Sequence, residues 1–454
     1  MKNPDCQRDK LINLGPETLA DTLLDLGAHS DDAAAVVERI TSSPKENQKR
    51  FKSKMAGLKR QRKFIDWRGA AGFARRLEEL LADLRAGVKQ PQTGVELVAA
   101  FFECDSSVFE RCDDSNGAVG DVFRFDARQL FIHYASQVDD KEWLCQLLLK
   151  LYEHDDYGVR GELLGSASGF LPADSLRSLA EIMWKRAEQE NETETNSWYF
   201  SQWLYGVKTL ARQLKDAPLF EKAALTSAPN KPLAVCIDIA EVYLESGDAA
   251  RALSILEDAP KDNPHFENDR DALLLAAYKK LGSNKKAAET AWRIFRRHRG
   301  AANLDTLLVV VGEEKRQWIV DQQVQEVHSA ERLDYASARF LAEVGQTDEA
   351  ETYILDRADQ LNGDLYELLV PLAKRMEESQ CLLGATAVYR ALLESILARA
   401  LSRYYHHGVR YLKKLDALAP RVSDWRNLAP HNVYKASLLE AHARKKSFWA
   451  KYGD

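Results

Sequence analysis

The clearest structural signal in the chain is residues 233–256, LAVCIDIAEVYLESGDAARALSIL, where two apolar-patterned stretches flank a glycine. Apolar residues recur every three to four positions from 233 to 244 and again from 252 to 256, which is the spacing of amphipathic helices. Gly247 permits a tight turn between the two helices. Ala252, five residues later, is small enough to let the second helix approach the first closely. The stretch therefore predicts a helical hairpin.

The same arrangement returns twice further along the chain. Gly282 lies 35 residues after the first turn glycine, and Gly345 lies 63 residues after Gly282. Each is followed at the fifth position by an alanine, Ala287 or Ala350. These distances are close to one and two periods of the 34-residue tetratricopeptide repeat. Because a single hairpin leaves one apolar face uncovered, such hairpins stack on their neighbours.

The first half of the chain has a longer period. The acidic, glycine-containing turns DDSNG (113–117) and DDYG (155–158) both end helical stretches, and their starts are 42 residues apart. This separation lies within the range of roughly 40–47 residues for HEAT-type hairpins. The sequence thus predicts an all-α fold, an α-solenoid of stacked helical hairpins that is HEAT-like in its first half and tetratricopeptide-like in its second.

The length and composition agree with a helical array. The 454 residues exceed the usual size of one domain, but a repeat array accounts for them without separate globules. The 23 glycines and 13 prolines are too few for a turn-rich β protein of this length. The predicted segments are an N-terminal helical pair (1–44), a basic linker or helix (45–63), HEAT-like hairpins (64–190), a connecting helical segment (191–230), tetratricopeptide-like repeats (231–420), and a C-terminal capping helix and tail (421–454).

Several classes of protein are disfavoured by composition. The six cysteines are scattered without a CxxC pair, which argues against a disulfide scaffold or zinc knuckle and fits a reducing compartment. The first residues, MKNPDCQRDK, are too polar for the core of a signal peptide, and no apolar run approaches the roughly 18 residues of a membrane span. The net charge of −6 gives no chain-wide reason to bind nucleic acid or anionic membranes. We expect a cytoplasmic protein without membrane contact.

The strongest local charge is in residues 45–63, which hold nine Lys or Arg residues against Glu46 alone, a net of +8 over 19 residues. The segment could be a solvated helix or linker, could contact an acidic protein surface, or could bind nucleic-acid phosphates with strong salt dependence. Phe64 and Trp67 follow it as rings on which bases could stack. The candidate binding residues here are Lys54, Lys59, Arg60, Arg62, Lys63 and Trp67.

The acidic turns raise the question of a metal site. If Gly117 takes position 6 of a calcium loop, Asp114 and Asn116 fall at positions 3 and 5, but Cys112 and Phe123 fall at the required ligand positions 1 and 12. Asp and Asn are also typical helix caps and turn residues. The alternative is one divalent cation shared by both turns, since turns one repeat apart lie on the same edge of a solenoid. The candidate ligands are Asp113, Asp114, Asp155 and Asp156.

The C-terminal segment HARKKSFW (442–449) has two interpretations. Its basic residues complement a helix C-terminus, and Phe448 with Trp449 could close the open end of the solenoid. Alternatively, it is an aromatic and basic docking motif for a partner. The candidate residues are His442, Arg444, Lys445 and Trp449.

Catalytic signatures are missing from the sequence. HExxH, GxSxG and the phosphate-binding GxxxxGK[ST] do not occur. His406 and His407 are adjacent, so on a helix they point in different directions rather than sharing a metal. We predict no cofactor, and the sequence favours a protein that is not an enzyme.

Five stretches together carry a family resemblance: LADTLL (19–24), FIDWR (64–68), the turns at 113–117 and 155–158, and the 442–449 tail. They resemble an uncharacterised bacterial all-helical family, domain of unknown function 6880, over nearly the whole chain. The resemblance implies a helical, cytoplasmic bacterial protein and implies no particular activity.

The leading functional hypothesis is a scaffold without catalytic activity whose concave helical surface binds a protein or peptide partner. The first alternative is a nucleic-acid-binding protein that uses residues 45–63. The second alternative is a metal-dependent site built from the acidic turns at 113–117 and 155–158.

Overall fold

The computed structural model describes residues 4–60, 62–193, 197–260 and 264–453. Within these ranges the regular structure is helical, and the extended backbone forms a single isolated parallel bridge between Ile65 and Cys112. The chain divides into two compact units, Met1–Asp248 and Ala249–Asp454. None of the described helices is both long enough and apolar enough to cross a bilayer.

The helices of the first unit are joined by short turns, with a π-helical turn over Val122–Ala127. They are α1 (Pro4–Ile12), α2 (Pro16–His29), α3 (Asp31–Thr41), α4 (Pro44–Arg60), α5 (Trp67–Gly87), α6 (Pro91–Phe102), α7 (Asp105–Phe109), α8 (Ala118–Asp121), α9 (Arg128–Ala135), α10 (Lys141–Glu153), α11 (Gly161–Gly165), α12 (Ala173–Thr193), α13 (Ser197–Leu214), α14 (Ala217–Ser227) and α15 (Leu233–Ser246).

The helices of the second unit are also joined by short connections, several of which are 3₁₀ turns. They are α16 (Ala249–Asp258), α17 (Glu267–Lys280), α18 (Asn284–Arg297), α19 (Ala301–Val311), α20 (Arg316–Ser329), α21 (Tyr335–Glu343), α22 (Thr347–Leu355), α23 (Tyr366–Glu378), α24 (Leu382–Ala398), α25 (Tyr405–Leu418), α26 (His431–Ala441) and α27 (Lys446–Gly453).

Neighbouring helices in each unit pack as stacked hairpins. In the first unit α4 packs on α5, α12 on α13 and α13 on α14. In the second unit α21 pairs with α22 and α23 with α24, while α21 also packs on α23 and α22 on α24. This alternation is what stacked helical repeats require. The predicted all-α fold of stacked helical hairpins is confirmed, and the finer segment boundaries stay predictions.

The repeat signature has the predicted local geometry. Gly247, Gly282 and Gly345 all have positive φ angles, of 99°, 67° and 81°, where a glycine avoids the strain that a Cβ would cause. The alanines five residues after them are at most 1% exposed. The glycines therefore have the predicted turn conformation, and α17 packs on α18 and α21 on α22 in the hairpins that contain Ala287 and Ala350.

Candidate functional site

The basic segment is an amphipathic helix from Lys45 as far as Arg60, not a linker. Asn47, Phe51 and Met55 lie four residues apart on one face of α4, and all three are buried. This face packs against α5, so the helix is held by core contacts. Its remaining faces carry the lysines and arginines.

Part of that positive charge is used inside the protein. Asp83 of α5 is 1% exposed, and its carboxylate accepts hydrogen bonds from Lys54 Nζ at 2.8 Å and Arg39 Nε at 3.0 Å. Arg50 Nη1 lies 3.6 Å from the same carboxylate. Because a buried carboxylate needs compensating charge, Lys54 of the predicted binding set has a structural partner that joins α4 to α5.

The other predicted cations lie together at the end of α4. Lys59, Arg60, Arg62 and Lys63 are exposed, and none of them pairs with a carboxylate of the described chain. Trp67 is 52% exposed, with the guanidinium of Arg68 4.6 Å from the centre of its ring. Together with the exposed Phe64 they form a surface that we call the basic–aromatic patch. Its members are Lys59, Arg60, Arg62, Lys63, Phe64, Trp67 and Arg68.

Backbone pairing fixes the extended part of this patch. Ile65 N donates to Arg111 O at 2.8 Å, and Asp113 N donates to Ile65 O at 2.9 Å. The Asp66 side chain accepts from the backbone N–H groups of Arg68 and Gly69, both at 3.1 Å, and caps the start of α5. These hydrogen bonds hold the turn that exposes Phe64 and Trp67 to solvent.

The first acidic turn is a helix cap. Asp114 accepts from the backbone N–H groups of Val119 and Gly120, both at 2.8 Å, which are otherwise unpaired donors at the start of α8. Asp113 accepts from Ser115 N at 3.1 Å within the turn itself. Both carboxylates therefore satisfy local backbone donors.

The second acidic turn has the same chemistry at a buried position. Asp155 accepts from Arg160 N at 3.1 Å and Gly161 N at 2.6 Å. Burial raises the pKa of Asp155 and outweighs the lowering by these two hydrogen bonds. Asp156 next to it is exposed. Among the described residues no three or more His, Cys, Asp or Glu side chains are grouped so that they could hold a metal ion, so the geometry lends the metal hypothesis no support.

The C-terminal tail folds back onto the helix stack. Phe448 is fully buried, with its ring edge-to-face against Tyr405 of α25 at 5.5 Å. Trp449 Nε1 donates to His442 O at 3.0 Å. Burial, together with Lys445, lowers the pKa of His442, whereas Arg444 is exposed. The aromatic residues of the tail are therefore used in packing, as a capping role requires.

An open groove in the second unit was not predicted from the sequence. A cavity of about 600 Å³ lies among α23, α24 and α25. We call it the tyrosine groove; its apolar and aromatic lining includes Tyr366, Val370, Leu392, Ile396, Tyr404 and Tyr411. A second cavity of about 440 Å³ shares Val370, Arg410 and Tyr411 with it and extends toward Lys374 and Lys414.

Some cationic side chains around the tyrosine groove have a carboxylate partner, and one has none in the described part of the chain. Arg399 pairs with Asp364 at 3.4 Å, and Lys414 with Glu377 at 2.9 Å. Arg410 Nη2, by contrast, lies 3.3 Å from His407 Nδ1 and pairs with no carboxylate in the described part of the chain. Burial lowers the pKa of His407, as do the neighbouring His406 and Arg410.

A second exposed arginine, Arg403, lies against the groove-lining Tyr404 and also has no carboxylate partner among the described residues. Arg403 has its guanidinium 4.8 Å from the centre of the Tyr404 ring. The only sequence signal of this surface is composition, because residues 402–411 contain three tyrosines, two histidines and two arginines. No motif spacing would have assigned them to one groove.

Another open cavity, of about 880 Å³, lies among α18, α19 and α20. Trp292 and Trp318 line it, and Trp318 is 57% exposed. The Arg296 guanidinium lies 5.2 Å from the centre of the Trp292 ring. The second unit therefore exposes aromatic side chains at two separate places.

Two of the buried thiols, Cys104 and Cys381, lack the environment of a nucleophile. Burial raises the pKa of Cys104 to about 11 and that of Cys381 to about 12. A reactive cysteine needs the opposite shift, because the thiolate is the attacking species. These two side chains thus serve as core residues.

Fold and surface together define an all-helical repeat protein with exposed aromatic and basic surfaces. Residues 2–451 match a family described as a family of unknown function, DUF6880, and the chain belongs to that family. No curated protein matches the sequence. A solved structure titled "Circular tandem repeat protein with novel repeat topology and enhanced subunit contact surfaces" is 15% identical, with 85% of this chain and 88% of that chain covered and a TM-score of 0.19. At that TM-score it supports no argument about this protein.

Proposed function

We propose that this protein is a helical-repeat scaffold, without catalytic activity, that binds an extended segment of a partner protein in the tyrosine groove. The observation behind the proposal is an apolar groove with aromatic walls that no described segment of the chain covers. Tyr366 is 57% exposed and Tyr404 38%. Tyrosine is enriched where proteins bind each other, since its ring supplies contact area and its hydroxyl a hydrogen bond.

The charges of the groove specify the chemistry of the partner. Arg410 of the groove, and Arg403 beside its Tyr404, have no carboxylate partner within the described ranges. Arginine pairs with carboxylates through parallel, charge-assisted hydrogen bonds. The floor residues Leu392 and Ile396 favour an apolar or aromatic side chain. We therefore infer a partner segment that combines an aromatic or aliphatic residue with nearby Asp or Glu residues.

The size of the groove fits such a segment. Its volume of about 600 Å³ lies within the range of roughly 300–1,000 Å³ that is usual for ligand pockets. The adjoining cavity at Arg410 and Tyr411 lengthens the surface. An extended peptide advances about 3.3 Å per residue, so several consecutive residues can contact both cavities.

The proposal can be tested with a phage-displayed library of random dodecapeptides. We expect the full-length protein to enrich sequences with an aromatic residue beside carboxylates. Arg410→Glu should weaken binding of a selected peptide about tenfold or more, because a hydrogen bond to a charged group contributes about 1.5–3 kcal/mol. Fluorescence polarisation of the labelled peptide measures this loss.

Lys285→Glu is the matched control. Lys285 is exposed on α18, outside the groove, and its replacement makes the same change in net charge. We expect the peptide to bind this variant as it binds the wild type. Equal binding to wild type and Arg410→Glu, or selected peptides without carboxylates, would contradict the proposal.

Nucleic acid binding is a second candidate function. It is favoured by the exposed rings of Phe64 and Trp67 and by the neighbouring cations of the basic–aromatic patch, which have no carboxylate partner among the described residues. If this function is correct, mixed-sequence single-stranded DNA or RNA binds, and its affinity falls at least tenfold between roughly 50 mM and 200 mM salt. The combined variant Arg60→Glu, Arg62→Glu and Lys63→Glu should abolish the binding. Unchanged binding by that variant would exclude the patch.

A further inference from the structure

The hairpin formed by α2 and α3 has an uncovered apolar face. Neither helix contains a buried residue, although the two helices approach closely where Gly27 meets Ala34. Leu24 and Ile40 are each 61% exposed. The other exposed apolar side chains of the hairpin are Leu23, Leu26 and Val36. Five exposed large apolar side chains on one hairpin with no buried residue point to a surface that another molecule covers.

The same hairpin is strongly acidic. Residues 16–41, which we call the acidic hairpin, contain six carboxylates against a single arginine, Arg39. Asp21 and Asp25 are exposed at the middle of α2. Asp21 lies three residues before Leu24, so the two side chains are neighbours on the helix surface. The docking face thus combines leucines with an edge of negative charge.

The basic–aromatic patch has the complementary chemistry. It presents four cations without carboxylate partners in the described chain, from Lys59 to Lys63, and exposed rings at Phe64 and Trp67. The rings can cover the leucines of the acidic hairpin, and the cations can pair with its carboxylates. Complementary charge of this kind selects the partner and raises the rate of association.

The acidic hairpin of one chain is anchored away from the patch of the same chain. Asn47 Nδ2 donates to Arg39 O at 2.9 Å, and Arg50 Nη2 lies 2.8 Å from Glu38. Both contacts lie in the first half of α4, whereas the patch begins at Lys59. Nine residues of helix, from Arg50 to Lys59, span roughly 13 Å at 1.5 Å per residue. These contacts of the acidic hairpin therefore leave the cations of the patch without a carboxylate partner in the described part of the chain.

We infer that a second copy of this chain places its acidic hairpin on the basic–aromatic patch of the first. When both copies do so reciprocally, the two contacts are related by a twofold axis and the assembly closes as a dimer. Pairing of two acidic hairpins with each other would instead bring like charges together. Nucleic acid on the patch would leave the apolar face of the acidic hairpin uncovered.

Charge exchange between the two surfaces tests this contact. Sedimentation velocity of the full chain should show a dimer whose dissociation constant rises with salt. Asp21→Lys with Asp25→Lys should weaken dimerisation about tenfold or more, and so should Arg60→Glu with Arg62→Glu, because each places like charges across the interface. The variant with all four changes should recover most of the wild-type affinity.

Two single variants serve as matched controls. Asp139→Lys and Lys285→Glu change exposed residues outside both surfaces, so each should dimerise as the wild type does. Circular dichroism of all variants checks that the helices are retained.

Three results would overturn the inference. The first is a wild-type chain that stays monomeric at concentrations of tens of micromolar. The second is loss of dimerisation with the α2 changes but not with the patch changes, which would assign the contact to paired hairpins. The third has two parts: the four-change variant does not regain dimerisation, and oligonucleotides bind the patch of the wild type. This result would assign the patch to nucleic acid.

Discussion

Arg160→Met is expected to lower the free energy of unfolding of the first unit by about 3–5 kcal/mol. Arg160 Nη2 donates to Asp105 Oδ1 at 2.6 Å and Arg160 Nε to Asp105 Oδ2 at 2.8 Å. The two side chains are only 7% and 0% exposed. Removing the guanidinium leaves the Asp105 carboxylate buried without its partner, and such a charge is far more costly than a broken surface pair. Urea denaturation measures the change.

An exposed ion pair provides the control for this prediction. Arg177 and Asp174 lie 3.1 Å apart, with side chains 59% and 96% exposed, and Arg177→Met should cost no more than about 1 kcal/mol. Adding Asp105→Leu to Arg160→Met should restore part of the lost stability, because it removes the unpaired charge. A cost of less than about 1 kcal/mol for Arg160→Met alone would show that Asp105 is not held as described.

Phe340→Ala is expected to lower the free energy of unfolding of the second unit by about 3–5 kcal/mol. Phe340 of α21 and Phe295 of α18 are both fully buried, with ring centres 5.7 Å apart in an edge-to-face arrangement. The truncation removes apolar contacts and leaves a cavity beside Phe295, where α18 meets α21. Because the chain has two compact units, hydrogen exchange resolved by peptide separates the affected unit from the other.

Val309→Ala gives the corresponding control. Val309 is 72% exposed on α19, so its truncation should alter stability by no more than about 0.5 kcal/mol. Similar exchange rates in the two variants would contradict the packing of Phe340. Faster exchange in the peptides of α18 and α21 with Phe340→Ala would support it.

The helical repeats could be predicted because their signals are local. A turn glycine acts through its backbone conformation, and a buried alanine acts through its small size. Because each effect depends on a single residue, a fixed spacing such as Gly282 to Ala287 indicates a hairpin without knowledge of the rest of the fold. The buried faces of the helices follow from the same periodicity.

The interaction surfaces could be predicted only in part. The net charge of residues 45–63 is a property of composition, but the pairing of Lys54 with Asp83 depends on how α4 packs on α5. The tyrosine groove was missed because Tyr366 and Tyr404 are far apart in the sequence and line one cavity only in the folded chain. The acidic turns were ambiguous because Asp114 has the same side chain whether it binds a metal ion or caps a helix.

The central claim is that the tyrosine groove binds an extended acidic segment of a partner, and photo-crosslinking tests it most directly. A selected peptide that carries benzophenone in place of its aromatic residue is irradiated with the full-length protein, and the crosslinked sites are mapped by mass spectrometry. We expect crosslinks within residues 363–411, which include the lining of the groove, around Tyr366, Ile396 and Tyr404, and their loss with Arg410→Glu. Crosslinks that map outside residues 363–411, or that persist with Arg410→Glu, would contradict the claim.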